Sequence, residues 1–241
     1  MTARTSLVII SATLALLVGG AVPRSWAGPG HGVAQLEIAK VYFEYNSSAN
    51  DLGVHVSLDG EDWKQLRIVN PKGRMIFKVE GKQAYKTLGM TELFFEGAEP
   101  SLDDFPLEDL LALFPEGDYK LSGKTVDEGD IKGTATLSHA IPAGPSNVAA
   151  VLGPGNSLVI SWDAVTAPPA GFPDEPIQIV GYQVIVDPFQ VTVPGTTTSL
   201  TVSPEFVASL GSYFSPSLMN VLAVCDVAEA PMFVNEVARS L

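Results

Sequence analysis

Between Leu158 and Val186 the chain alternates apolar and other side chains with a period of two, and one large aromatic marks each run. Leu158, Ile160 and Trp162 fall on one face of the first run, with Val159 and Ser161 on the other. After a Pro-rich connection, Val180, Tyr182, Val184 and Val186 form a second row of the same kind. A period of two is the repeat of a pleated strand, whereas a helix repeats every 3.6 residues. A chain patterned this way must build sheets and bury one face of each.

The spacing of the two aromatics is similar to that of a fibronectin type III module. In that family the second strand carries a core Trp followed by Asp, here Trp162-Asp163, and the third carries a Tyr, here Tyr182. The resemblance implies that residues 146–241 form a β-sandwich, that Trp162 and Tyr182 are core residues, and that the module binds or spaces rather than catalyses. It is good to about residue 203. Beyond it, the family places a Tyr four residues before the central Val of the sixth strand, its hydroxyl closing a corner onto the backbone. With Val221 in that role, Ser217 stands where the Tyr is expected and Tyr213 lies four residues earlier. Either the corner is rebuilt around Tyr213, or the end of the module is divergent or truncated.

A first unit, 33–141, is set apart by Pro142-Ala-Gly-Pro145, a linker no continuous strand or helix would tolerate. Leu36 and Ile38, then Val41, Phe43 and Tyr45, alternate with a slip at Ala39-Lys40, which predicts a β-bulge. Val54, Val56 and Leu58 share the face of a further strand. Lys64–Asn70 and Arg74–Glu80 flank Asn70-Pro-Lys-Gly73, a turn signal that predicts a hairpin. Glu92–Glu96 is a short strand candidate, and Tyr119–Thr125 with Ile131–His139 predicts a last hairpin. One helix is expected: Ser101 as N-cap, Asp104 three residues on, and Leu107, Leu110, Leu111 and Phe114 as one stripe ended by Pro115. Phe114-Pro-Glu-Gly-Asp-Tyr119 resembles the start of a strand in secreted immunoglobulin-like sandwiches. The fold class expected is therefore all-β: two β-sandwich domains in tandem, the first with one short helix.

The N-terminus predicts export. Arg4 precedes an apolar run from Leu7 to Val18, too short to span a hydrocarbon core of roughly 30 Å comfortably. Ser25-Trp26-Ala27 predicts a signal peptide over 1–27, with cleavage after Ala21 as the rival and a retained N-terminal anchor as the alternative. Cleavage after Ala27 removes Arg4 and Arg24 and no acid, so the formal charge moves from −13 to −15 (−13 − 2). So acidic a chain repels nucleic acid and anionic membranes, which demand clustered Lys and Arg. The lone Cys225 lies in an apolar run and reads as a buried thiol, with pairing between chains as the other reading. The expected location is periplasmic or extracellular, with no stable membrane insertion after cleavage.

Catalysis needs a convergent set of residues, and the motifs that announce one are missing. His31, His55 and His139 form no metal-binding helix pair, and there is no nucleophile elbow or phosphate-cradling loop. His55 lies opposite Val54 and Val56, which predicts a solvated strand histidine. His139 ends a strand, where capping or exposure accounts for it. Acidic turns supply weak calcium candidates, Asp51 beside Asn46-Ser-Ser-Ala-Asn50, and Asp127 with Asp130, although simple hydration explains them as well. Trp63, Tyr42 and Tyr85 could form a platform for sugar rings, or cover the core and an edge of the sandwich; Tyr42 is expected to point away from the core. The reading is a non-enzymatic exported protein with no cofactor other than that calcium, binding or presenting an unidentified protein or glycan. Its alternative is an accessory or spacer protein of a secreted polysaccharide-degrading system.

Overall fold

A computed structural model describes residues 32–186, 189–210, 219–227 and 230–237. The expected signal peptide, His31, and the corner candidates Tyr213 and Ser217 lie outside these residues, as does the Cys225 side chain. The fold is all-β, with strands β1 (Val33–Gln35), β2 (Ile38–Asn46), β3 (Asp51–Val69), β4 (Met75–Glu80), β5 (Met90–Glu96), β6 (Gly117–Thr125) and β7 (Asp130–Leu137) in its first half. The second half contributes β8 (Ala149–Leu152), β9 (Leu158–Ser161), β10 (Ile179–Val186), β11 (Phe189–Pro194), β12 (Ser199–Val202), β13 (Met219–Val227) and β14 (Ala230–Val237). Among the described residues three short α-helices interrupt them, α1 (Ala84–Leu88), α2 (Leu107–Leu113) and α3 (Pro204–Leu210), with one 3-10 turn at Pro154–Asn156.

The expectation of a single helix in the first half is therefore corrected to two. α1 is five residues long, follows Gln83 at φ 52 without a side-chain cap, and buries nothing. Neither a cap nor an apolar stripe announces it. α2 carries the expected stripe and buries Leu110, but its N-cap is Pro106. Ser101 instead closes the preceding turn, its carbonyl accepting from the amides of Asp104 and Phe105. The terminator holds as a wall: Pro115 follows the C-cap Phe114.

β3 is the organising strand of the first half. Its 19 residues pair with β2 through Asp51–Asp59, with β5 through His55–Asp59 and Trp63, with β6 through Trp63–Val69 and with β4 through Gln65–Val69. Register shifts between Asp59 and Trp63, and again between Trp63 and Gln65, mark the bend where the partners change. Gly60 sits at this bend against Leu36, whose Cα would be 3.3 Å from an added Cβ. The slip expected at Ala39-Lys40 is no bulge, because β2 and β3 stay in register from Ile38 to Asn46. The change of partner from β7 to β3 comes earlier, at Leu36–Glu37, where Leu36 N donates to Lys132 O and Glu37 N to Asp59 O. The expected hairpin forms with Asn70 at its heart, its side-chain Oδ1 accepting from Arg74 N at 2.9 Å and Gly73 at φ 74.

The core of this half gathers Phe43, Leu52, Leu58, Trp63, Leu66, Ile68, Tyr119 and Ile131, all fully buried. Tyr119 also spans the end of α2, its hydroxyl donating to the Pro115 carbonyl at 3.1 Å. Burial raises the pKa of this phenol and keeps it a neutral donor.

In the second half β12-β9-β8 form a three-stranded sheet, and β14-β13-β10-β11 are consecutive neighbours in the larger one. Ala150, Leu158, Ile160, Trp162 and Val202 from the first meet Tyr182, Val184, Val186, Val221 and Ala223 from the second in one core. Val180 leaves the row assigned to it. A register shift between Ile179 and Gly181 turns it outward, 42% exposed. β14 has no counterpart in the sequence reading, because Pro231 near its start removes a ladder donor and breaks the pattern.

The two halves share backbone and side chains. Phe233–Asn235 of β14 pair in parallel with Glu44–Asn46 of β2, so one sheet path runs through both. Phe172 and Ile177, on the Pro-rich connection before β10, lie against the first core, with the Phe172 ring 4.8 Å from that of Tyr45. The Pro142–Pro145 segment has neither strand nor helix, and Ala143 N donates to Ala167 O at 3.1 Å.

Candidate functional site

One sheet face in the first half collects titratable groups. The residues of β2 and β3 whose side chains oppose the core face are Tyr42, Glu44 and Asn46 on β2, and Asp51, Gly53 and His55 on β3. β5 adds Glu96 directly opposite His55 and Phe94 opposite Ser57. The chain then turns back at Gly97, and Glu99 folds over Gly53.

His55 is the centre of this arrangement and is 5% exposed. The expected solvated histidine is thus corrected. The alternation rightly sends it to the face away from Val54 and Val56, but that face is also covered. Tyr42 stacks on the imidazole at 5.2 Å and 29°, and the Phe94 ring lies 6.0 Å away. Tyr42 itself is 5% exposed, so its outward position does not make it a surface residue. Burial, then Glu44 and Glu96, raise its pKa.

Carboxylates surround the imidazole. His55 Nε2 is 3.2 Å from Glu99 Oε1 and 3.9 Å from Glu44 Oε2. Burial alone would depress the His55 pKa, but the Glu99 hydrogen bond and the charges of Glu44, Glu96 and Glu99 outweigh it, so the imidazole stays protonated above its ordinary range. Glu96 is pushed up, first by burial and then by Glu99. Asp51 is pushed up to about 6, by burial and then by Glu99 and Glu96. Asp51 Oδ1 is buried without a hydrogen-bond partner. At these register positions on β2, β3 and β5 the only basic side chain besides His55 is Lys40, opposite Ser57, and burial lowers its pKa.

Donor atoms of His55, Glu96 and Glu99 all lie within 4.8 Å of one another, a separation from which a single cation could be ligated. Of the three calcium candidates, only Asp51 belongs to this face. Asp127 sits exposed in the β6–β7 turn, and Asp130 is held by Lys124 Nζ at 2.8 Å. In that turn Glu128 pairs with Lys64. The oxygens beside Asp51 are also committed: Asn46 Oδ1 accepts from the amides of Ser48 and Ala49, and Asn50 Oδ1 accepts from the Tyr45 hydroxyl.

The other singled-out residues serve the core. Trp63 is fully buried, so of the three aromatics weighed for a sugar platform only Tyr85 is exposed, at 63%. His139 Nε2 donates to the Phe114 carbonyl at 2.8 Å and holds the end of α2. Trp162 and Tyr182 lie in the second core with rings 5.4 Å apart at 58°, and the Tyr182 hydroxyl accepts from Val165 N at 2.8 Å. Glu44, Glu96 and Glu99 were invisible as site residues, because strand pairing and a tight return bring them to His55 from distant places in the chain. The one usable signal is a pair of aromatics, Tyr42 and Phe94, on faces the alternation marks as outward.

No protein family matches the chain. No curated protein matches it either. Among solved structures it is similar to a biofilm-associated protein, BSP domain, at 11% identity and a TM-score of 0.26. That similarity covers 86% of this chain and 30% of the other, so the chain spans less than a third of that structure's length. No helix among the described residues is long and apolar enough to cross a membrane.

Proposed function

We propose that this is a non-enzymatic exported protein of the cell envelope or extracellular space, whose second half is a fibronectin type III-like module used for binding or presentation. The observation that carries the reading is the strand arrangement of β8–β14. Three strands, β12-β9-β8, share a core with the four-strand run β14-β13-β10-β11, and Trp162 and Tyr182 stand where that family's core aromatics stand. The first half is read as an immunoglobulin-like sandwich. In support, Tyr119 hydrogen-bonds back to the carbonyl four residues upstream, the geometry of a tyrosine corner.

The export part rests on Arg4, the Leu7–Val18 run and the small residues of Ser25-Trp26-Ala27 before the expected cut. Fractionation of the native host, with mass spectrometry of the purified chain, tests it. A chain beginning at Gly28 in the periplasm or medium supports export; a cytoplasmic chain retaining residues 1–27 contradicts it. Incubating the same material with a panel of polysaccharides and peptides tests the non-enzymatic part, which measurable turnover would overturn. The accessory role in polysaccharide degradation gains no support from Trp63 and Tyr42, both of which are buried.

A further inference from the structure

We propose that His55, Glu96 and Glu99 form a mononuclear site for a divalent first-row transition ion of the zinc type, with solvent completing the coordination. The donor set decides the class of ion. One imidazole nitrogen with two carboxylate oxygens suits zinc, whereas calcium takes six to eight oxygens. Three protein donors and an open position match the ligand count of zinc sites that retain a water.

The geometry is close to closed. Tetrahedral zinc at about 2.1 Å from each donor sets the donors about 3.4 Å apart. His55 Nε2 and Glu99 Oε1 are already 3.2 Å apart, and the remaining separations reach at most 4.8 Å. Rotation of the Glu96 side chain closes that gap, because it is the exposed member of the trio.

Two further features show a built site and not a chance gathering of acids. His55 is more than nine-tenths buried, so its imidazole is fixed rather than wandering. Glu99 lies directly over Gly53, where an added Cβ would stand 2.6 Å from its Oε1 and displace it from this position. Beside the trio, the buried Asp51 Oδ1 has no hydrogen-bond donor, and Glu44 approaches the same nitrogen at 3.9 Å. A dication offsets the negative charge gathered here, with Glu44 and Asp51 as outer partners. Binding replaces the proton on His55 Nε2 and any proton shared by Glu96 and Glu99, and these leave to solvent.

The test is isothermal titration of zinc chloride into the chelator-treated chain beginning at Gly28, repeated on variants. Expected are one ion per chain, affinity lost by about tenfold or more in Glu99→Gln and in His55→Gln, and no change in Asp127→Asn or Asp130→Asn. Calcium is expected to compete poorly. Should His55→Gln fail to fold, Glu99→Gln and the absorption bands of cobalt bound to the native chain decide in its place. Undiminished zinc binding in Glu99→Gln overturns the proposal, as does the absence of a one-to-one isotherm. Affinity that falls only when Asp127 or Asp130 is changed also overturns it.

Discussion

Removing the Trp162 indole is the perturbation that most cleanly separates a core residue from a surface one. Trp162 is 4% exposed, and its ring leans on Tyr182 at 5.4 Å. Truncating a buried aromatic to Ala costs about 3–5 kcal/mol. Part of that is offset, because Trp162 Nε1 is buried without an acceptor and its removal relieves a penalty of about 1–3 kcal/mol. We expect a net loss of about 2 kcal/mol for Trp162→Ala, the difference between the middles of those two ranges. Trp162→Phe behaves differently. The lost ring leaves a void of about 40 Å³, worth about 1 kcal/mol at ~24 cal/mol per Å³. Relief of the unpaired N–H cancels that, so the change is near zero or slightly stabilising. Urea unfolding followed by far-UV circular dichroism measures both variants. A loss under about 1 kcal/mol for the Ala variant would refute the core placement. Equal losses for Ala and Phe would refute the unpaired N–H.

Three other outcomes follow from the same contacts. Tyr119→Phe removes the donor to the Pro115 carbonyl and should cost about 1 kcal/mol in the same urea experiment; no loss would mean the corner contributes nothing. In the chain beginning at Gly28, Trp63 and Trp162 report the first and second core separately, so Trp162→Phe and Trp63→Phe each leave one probe. The shared sheet path and the docking of Phe172 predict coincident fluorescence midpoints, and well-separated midpoints would show independent domains. In metal-free protein the raised pKa values of Asp51 and His55 give stability that is present at low pH. It is lost as pH rises, for Asp51 from its ordinary 3.8 through about 6, and for His55 from 6.5 through its raised value. Between about pH 5 and pH 8 the melting temperature should therefore fall, and fall less in Asp51→Asn; a rise over that window, or an unchanged slope in the variant, contradicts the assignment.

Much of the fold was legible because alternation is a direct image of the pleat. Val41, Phe43, Val54, Val56, Ile160 and Val184 all reach a core, on the faces their spacing assigned. What alternation cannot report is whether the second face is covered as well. Alternation puts His55 and Tyr42 on the correct side of their strands, but the side chains of Phe94 and Glu99 pack on that face and the two rings stack on each other, so neither faces solvent. The sequence pattern divides β3 in two, since the run Asp59-Gly-Glu-Asp62 has the composition of a turn, yet the chain bends there without breaking. Pro231 hides β14 from the alternation, and α1 leaves no trace because a five-residue helix that buries nothing carries no stripe. The candidate site failed to show for a related reason. Its ligands come from two segments, His55 on β3 and Glu96 with Glu99 at and just past the end of β5, and they meet through strand register, which no local spacing encodes.

The central claim is that a buried imidazole ringed by carboxylates organises the face formed by β2, β3 and β5. Its most direct test is the His55 ionisation constant, followed by NMR of the imidazole carbon-bound protons in chelator-treated protein. His55→Gln assigns the signal among the three histidines. The account predicts a pKa above the ordinary 6.5, falling when Glu99 is changed to Gln. A His55 that titrates at or below 6.5, unmoved by Glu99→Gln, would contradict it.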